Sequence, residues 1–406
     1  PGASGPDDST VVFVEQAPAD LVLLSSADTD LNAVAALLAN EPQLIAAELR
    51  ALNLSALSHP AVIDHYVAST LQGARVVLVR LLGGRGHWSY GLEQLRAWSG
   101  AAAGRALLVL AGTPEEEGVL AALGTVEPAL SIACAACLRE GGTVNVRQVL
   151  ACMEALRLAR PVPTPSVAAA PDPLPHDWRE EPGPRVGVLL YRAQRQAGDT
   201  ALMEACLATL RSCGLAPRAL WVSSLRDGAT QRGVADLLQR EGVEAVLCGT
   251  GFASVQFAEA GLGAPLWERL GVPVLQMLCS GRSRASWELS SIGLGPLDLS
   301  LQVVLPELDG RITTRVAAFK ECLGSADQLG TALLGSVPDA QRLGQAHLEV
   351  LAQIHDREEG ARREHQQREL RVAGEAVLVG SGGVHAWRSP VGCCRQMRAV
   401  MHLVRR

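Results

Sequence analysis

Two carboxylates, Glu307 and Asp309, lie two positions apart in the segment Pro306-Glu307-Leu308-Asp309-Gly310-Arg311, which closes an apolar run, Leu301–Leu305. A carboxylate beside an apolar wall has its charged form disfavoured, so its pKa rises and it can accept protons near neutrality. An ordinary acidic turn accounts for the same spacing. A second candidate is Arg80-Leu81-Leu82-Gly83-Gly84-Arg85-Gly86-His87-Trp88-Ser89-Tyr90. In it, Arg80 and Arg85 could pair with carboxylates, His87 could act as a base or metal ligand, and Trp88 and Tyr90 could stack on a flat ring. A strand-to-helix turn with a packed Trp is the competing reading. A third is Gly249-Thr250-Gly251-Phe252-Ala253-Ser254, where successive backbone N–H groups could hold an anion and glycine allows close approach. Ser254 stands where a dinucleotide fingerprint needs its third glycine, so that fingerprint fails.

Other motifs carry less. Ser280-Gly281-Arg282-Ser283-Arg284-Ala285 resembles a nucleophile elbow with Ala for the last Gly. A hydrolase would also need a well-placed acid and His, and His347 falls in a polar helical pattern. Cys134-Ala135-Ala136-Cys137 has zinc-ligand spacing, but no second pair stands at suitable distance, and its apolar helical setting reads as two core thiols. Lys320 is the single lysine of the chain. A GxxxxGK[ST] phosphate loop is therefore absent, and any ATP must be bound elsewhere.

These residues must be positioned by alternating elements. Val11–Val14, Leu21–Leu24, Val76–Leu82 and Leu107–Leu110 read as strands, with helices at Leu31–Ala39, Pro60–Thr70 and Tyr90–Trp98 and two more over 130–158. A dense set of prolines over 161–184 cannot continue a helix or a central strand and reads as an extended linker. A second unit follows, with strands Arg185–Tyr191, Ala219–Val222, Ala245–Cys248 and Val272–Leu278 and helices Thr200–Cys213, Gly233–Arg240 and Pro265–Leu270. The expected fold is α/β: two doubly wound, Rossmann-like units with mainly parallel sheets, at 1–160 and 185–320, then a helical segment at 321–371 and an irregular tail at 372–406. Ligands of such sheets sit at the carboxyl ends of the strands, which draws attention to the turns after Tyr191, Val222, Cys248 and Leu278.

Composition narrows the function. Hydrophobic residues make up 48% of the 406 and aromatics 3%, so a core of Leu, Val and Ala is possible. The net charge is −6 with acids and bases interspersed; no basic stripe recruits nucleic acid and no polybasic cluster a membrane surface. No apolar run reaches transmembrane length, and the polar start lacks a signal-peptide pattern. Ten thinly spread cysteines fit a reducing compartment, so a cytoplasmic location is expected.

Taken in order, Val79–Gly84 with Trp88–Gly91, Val186–Arg192 with Ala197-Gly198-Asp199-Thr200, Thr250-Gly251-Phe252, Pro273–Gln276, Ser283-Arg284 with Trp287, and above all Val303–Ile312 resemble the signatures of the CobN/magnesium-chelatase H-subunit family. Ala-Gly-Asp-Thr and Gly-Gly…Trp favour the cobalt branch over the magnesium branch. The resemblance implies a tetrapyrrole-binding subunit of an ATP-dependent chelatase that inserts Co(II), as substrate, into hydrogenobyrinic acid a,c-diamide. ATP and Mg would be bound by separate AAA+ and integrin-like partner subunits. It further implies Glu307 as proton acceptor, with Asp309 supporting it or steering the metal. Arg80 and Arg192 would meet substrate carboxylates, and Trp88 would stack on the macrocycle. Gly83, Gly84, His87, Tyr191, Thr250, Gly251, Phe252, Gln276 and Ser283 complete the implied substrate contacts, with the metal ligands left open. The resemblance fades after Lys320 and is lost by Val372, as an out-of-frame or intron-derived end would be. Two alternatives are a non-catalytic tetrapyrrole or corrinoid carrier and a magnesium-chelatase H-type subunit; a sugar- or nucleotide-binding protein sharing only the fold is a third.

Overall fold

The computed structural model describes residues 12–254 and 265–380. Residues up to Ile354 form one unit, which holds two sheets. The first sheet is wholly parallel: β1 (Leu21–Ser25), β2 (Leu49–Asn53), β3 (Val76–Leu81) and β4 (Ala106–Ala111), in the order β2-β1-β3-β4. Register pairs Leu24 with Leu52 on one side and with Val79 on the other. β1, β3 and β4 are almost continuously buried, as expected of strands covered on both faces. One face packs on α1 (Asp28–Asn40), α5 (Pro128–Glu140) and α6 (Thr143–Arg157), the other on α2 (Pro60–Ala68) and α3 (Ser89–Gly100). Local chemistry starts these helices. Asp28 and Asp30 occupy the first turn of α1, complementing its dipole, and His59 caps α2 ahead of Pro60 at its first position. A short α4 (Glu117–Ala121) follows β4.

The second sheet has seven strands in the order β11-β10-β9-β8-β6-β7-β5. Its parallel centre is β6 (Arg185–Tyr191), β7 (Ala216–Val222), β8 (Ala245–Cys248), β9 (Val274–Ser280) and β10 (Ile312–Ala326). β5 (Leu174–His176) and β11 (Thr331–Pro338) are antiparallel edges. The connecting helices are α7 (Arg192–Gln196), α8 (Ala201–Ser212), α9 (Gly228–Arg240) and α10 (Pro265–Leu270), and the two faces carry separate cores. In each sheet the first of the parallel strands lies between the next two, so the winding reverses beside β1 and beside β6. That is the switch-point topology of a doubly wound fold.

Several expectations are corrected. Val12–Val14 lie in no strand, and residue 11 falls outside the described residues. β2 was not anticipated. The proline-rich stretch supplies β5, and Asn145 and Gln148 hydrogen-bond its backbone at Ala168 and Ser166. The apolar run at 301–305 is helical: α12 (Pro296–Leu299), a wide π turn (Ser300–Val304) and α13 (Leu305–Leu308) run on without a strand. An unbroken apolar run has no period with which to separate strand from helix. Residues from Glu321 to Pro338 complete a β-hairpin rather than a helix, closed at Gly330 in the left-handed region. The helical pattern begins instead at α14 (Ala340–Gly380), which continues beyond the expected limit at 371. The rest of the irregular tail, 381–406, lies outside the described residues. The second unit starts at His355; within it Glu359 accepts from His355 at 3.2 Å and from Arg363 at 3.3 Å.

Candidate functional site

The carboxyl ends of β6 and β8, with the middle of β9 and the start of β10 beside them, gather the groups with most chemical potential. Arg311, one residue before β10, is fully buried in its side chain and paired with the equally buried Asp309 at 2.9 Å. Its Nη1 donates to the Thr250 carbonyl and to Gln276 Oε1, each at 3.0 Å, and its Nη2 donates to the Phe252 carbonyl at 3.1 Å. The guanidinium carbon lies 5.2 Å from the centroid of the Trp267 ring, within cation–π range. Asp309 Oδ2 also accepts from Ser254 N at 2.6 Å and Ser254 Oγ at 2.8 Å. Gln276 Nε2 donates to the Thr250 carbonyl at 3.0 Å, so the amide bridges β9 to the turn after β8. Tyr191, at the end of β6, donates its hydroxyl to the Gly251 carbonyl at 3.0 Å, and burial pushes its phenol well above the usual range. One buried ion pair thus ties the carboxyl ends of β6 and β8 to the middle of β9 and the start of β10 in a single polar network. Charges and carbonyls taken out of water are stable there because nearly every one has a partner.

Two members of the motifs face outward. Phe252 is 42% exposed and has φ +65. Glu307 is exposed, and its Oε1 accepts from Thr313 Oγ1 at 2.9 Å. The apolar wall expected to desolvate Glu307 is therefore not provided by the described residues; Asp309 is the buried carboxylate, and it is committed to Arg311 and Ser254. Exposed apolar side chains lie on either side of Glu307, among them Leu299, Val304, Leu308 and Ile312. Ser283 caps α11 (Arg284–Leu289) by accepting from Ser286 N at 3.2 Å.

The first sheet disposes of its candidates differently. Arg80 is buried at the end of β3, and its Nη1 donates to both oxygens of Asp30 at 2.7 and 2.8 Å. Ser25 Oγ donates to the same carboxylate at 2.5 Å. Arg192 is 3% exposed, paired with Glu140 at 3.0 Å and donating to the carbonyls of Ala170 and Pro171 at 3.2 Å. Neither guanidinium is held open toward solvent. Trp88 is buried and donates Nε1 to the Leu57 carbonyl at 2.8 Å, so it packs rather than presenting a stacking face. A Cβ on Gly91 would lie 2.1 Å from its indole, which explains glycine there. Gly83 and Gly84 both have positive φ, as the turn into α3 requires, and His87 is exposed. Thr250 and Gln276 are buried within the second-sheet network, and Gly251 is partly exposed.

Sequence reasoning overlooked Arg311, Ser254 and Trp267. Arg311 stood in the strongest motif, and its spacing of two from Asp309 was the available signal. Among the described residues no group of three or more His, Cys, Asp or Glu could hold a metal ion, and no helix is long and apolar enough to cross a membrane.

A family model described as CobN/Magnesium Chelatase matches residues 135–359. The chain is 35% identical over 360 residues to an aerobic cobaltochelatase subunit CobN of Pseudomonas aeruginosa, covering 84% of this chain and 28% of that protein. It is 33% identical over 336 residues to an aerobic cobaltochelatase subunit CobN of Sinorhizobium sp, covering 77% and 26%. Among solved structures, the catalytic subunit of cobaltochelatase from Mycobacterium tuberculosis matches with a TM-score of 0.50 at 26% identity, over 80% of this chain and 26% of that one. This chain thus spans little more than a quarter of the length of each of these relatives.

Proposed function

The chain belongs to the CobN/magnesium chelatase family, and on that premise we propose that it is part of the tetrapyrrole-binding subunit of a cytoplasmic, ATP-dependent cobaltochelatase. The substrate is hydrogenobyrinic acid a,c-diamide, and Co(II), also a substrate, enters its ring in cobalamin biosynthesis. The two CobN relatives support the cobalt branch over the magnesium one. The observation that carries the reading is the end of the second sheet, where a buried Asp309–Arg311 pair fixes a turn and leaves the Glu307 carboxylate facing outward.

Insertion replaces the inner N–H proton of the corrin, which binds the metal as a monoanion, so a proton must be accepted and passed on. We assign that acceptance to Glu307, held by Thr313 Oγ1, which takes the proton and returns it to solvent. Asp309 and Arg311 are positioning residues. Arg80 and Arg192 belong to the framework, since Asp30 and Glu140 already neutralise them. ATP is bound by separate AAA+ and integrin-like subunits, consistent with the missing phosphate loop.

The test is a visible-absorption titration of the chain with hydrogenobyrinic acid a,c-diamide, followed by insertion assays with the ATPase partners. Saturable binding, and insertion abolished by Glu307→Gln with binding retained, supports the assignment; absence of binding refutes it. One second reading is a non-catalytic tetrapyrrole carrier. It predicts binding with no insertion when the partners are supplied.

A further inference from the structure

Phe252 is the anomaly of the second-sheet site. An aromatic residue is rarely found at φ +65, because its Cβ crowds the backbone there, and glycine takes that conformation without cost. The usual compensation, burial of the ring, is incomplete, since 42% of the residue is exposed. What maintains the conformation is backbone anchoring on both sides. Phe252 N donates to the Leu301 carbonyl at 2.7 Å, and its own carbonyl accepts from Arg311 Nη2 at 3.1 Å. Arg311 is in turn fixed by Asp309, Gln276 and the Trp267 ring. The fold thus holds a strained backbone so that an aromatic ring stands outward at the end of β8, beside the strand where the winding of the sheet reverses. Strain maintained by a surrounding network, at a ligand-binding position of a doubly wound sheet, marks a residue kept for contact rather than for packing.

We infer that Phe252 is the aromatic contact for the face of the conjugated macrocycle, and that Arg311 is a positioning residue acting through it. This deepens the tetrapyrrole-binding reading and rests on it. A ring offers a flat, apolar surface with a negative face, suited to offset stacking on a conjugated system. The exposed apolar side chains Leu299 and Val304, either side of the Leu301 that anchors Phe252, extend an apolar surface for such a ligand.

The experiment combines a hydrogenobyrinic acid a,c-diamide titration with urea unfolding of the 406-residue chain and four variants: Phe252→Gly, Phe252→Tyr, Arg311→Lys and the double variant Phe252→Gly/Arg311→Lys. Phe252→Gly removes the ring and the strain together, so its unfolding midpoint is expected to hold or rise while binding weakens roughly tenfold or more. Phe252→Tyr retains binding within about twofold. Arg311→Lys keeps a cation beside Asp309 but loses the fork that also holds the Phe252 carbonyl, and binding weakens several-fold. The double variant is expected to bind no more weakly than Phe252→Gly alone, because Arg311 acts through a ring no longer present. Unchanged affinity in Phe252→Gly, with the unmodified chain binding normally, overturns the inference and leaves the tetrapyrrole reading standing. A fall in the Phe252→Gly midpoint overturns it independently of ligand, since it makes the ring a packing residue. No binding by the unmodified chain overturns both.

Discussion

Arg311→Met is the sharpest perturbation of the site's framework. The substitution roughly conserves volume and removes the guanidinium paired with Asp309. Asp309 would remain in a position where its side chain has no solvent exposure. Breaking a buried pair from one side costs about 3–5 kcal/mol, because the surviving carboxylate loses its counter-charge and gains no water, keeping its hydrogen bonds from Ser254. The carbonyl of Phe252 loses its Arg311 donor, while that of Thr250 retains Gln276 Nε2. Both effects act in the same direction, so a loss of about 4 kcal/mol is expected, a large fraction of the ~5–15 kcal/mol that stabilises a typical domain. Asp309→Asn keeps an acceptor for Ser254 and is expected to cost less, about 2–3 kcal/mol. The two sites touch, so the double variant should fall short of the summed losses by about 2 kcal/mol. Urea unfolding followed by circular dichroism and tryptophan fluorescence measures all three, with coincident transitions required for a two-state treatment. A loss below about 1 kcal/mol for Arg311→Met, or strict additivity in the double variant, would refute the claim that this pair organises the strand ends.

Gly91→Ala places a Cβ 2.1 Å from the Trp88 indole and is expected to lower stability by about 1–3 kcal/mol, while Gly86→Ala, with nothing within 4 Å, should be close to neutral in thermal unfolding. His347 is fully buried with neither ring nitrogen hydrogen-bonded among the described residues, and burial lowers its pKa from 6.5 to about 4. The folded state thus binds this proton less readily than the unfolded one, so the contribution is complete above pH 6.5 and lost as pH falls toward 4. Between about pH 7.5 and pH 4.5 the parent should lose about 2–3 kcal/mol more than His347→Leu in urea titrations, and parallel losses would exclude this role. Glu307→Gln, at an exposed site, should change unfolding free energy by no more than about 0.5 kcal/mol, so any loss of insertion it causes is chemical rather than structural.

The elements legible in the sequence were those with strong boundaries. Arg185–Tyr191 and Ala245–Cys248 were bounded by turn residues and read to the residue, and α1, α5 and α6 emerged from apolar periodicity. Leu49–Asn53 escaped because Leu-Arg-Ala-Leu-Asn is made of good helix formers, and it is a strand only because β1 supplies its hydrogen bonds. The β10–β11 hairpin escaped for a related reason: its Ala, Gly and Ser residues carry little β preference, and its order comes from pairing such as Phe319 with Val337. Site residues show the same limit. The family resemblance singled out Asp309, Gln276, Thr250 and Phe252, and the structure brings all four around Arg311. Which carboxylate would be buried depended on whether the run before it was strand or helix. That is a tertiary fact, and it leaves Glu307 exposed and Asp309 buried.

The two sheets offer a controlled contrast. Each sheet has a buried arginine matched by an aspartate, Arg80 near the end of β3 in one and Arg311 just before β10 in the other. At the first sheet the pairing closes the chemistry: Asp30 takes Arg80, Ser25 caps the same carboxylate, Trp88 is buried, and Asp28 is bonded by Lys320 from β10. That last contact makes the end of the first sheet a docking point for the second. At the second sheet the pairing instead frees neighbouring groups. Because Arg311 satisfies Asp309 and the carbonyls behind Phe252, the turn can present an aromatic ring and a carboxylate outward without leaving buried charge unpaired. Identical ion-pair chemistry therefore serves anchoring at one end and presentation at the other. The distinction predicts that Arg80→Met will reduce stability and leave the intrinsic affinity of the folded chain for the macrocycle unchanged, whereas Arg311→Lys will change affinity in the folded chain. Equal affinity losses in the two variants, measured on protein shown to be folded, would place the ligand between the sheets instead of at the end of the second.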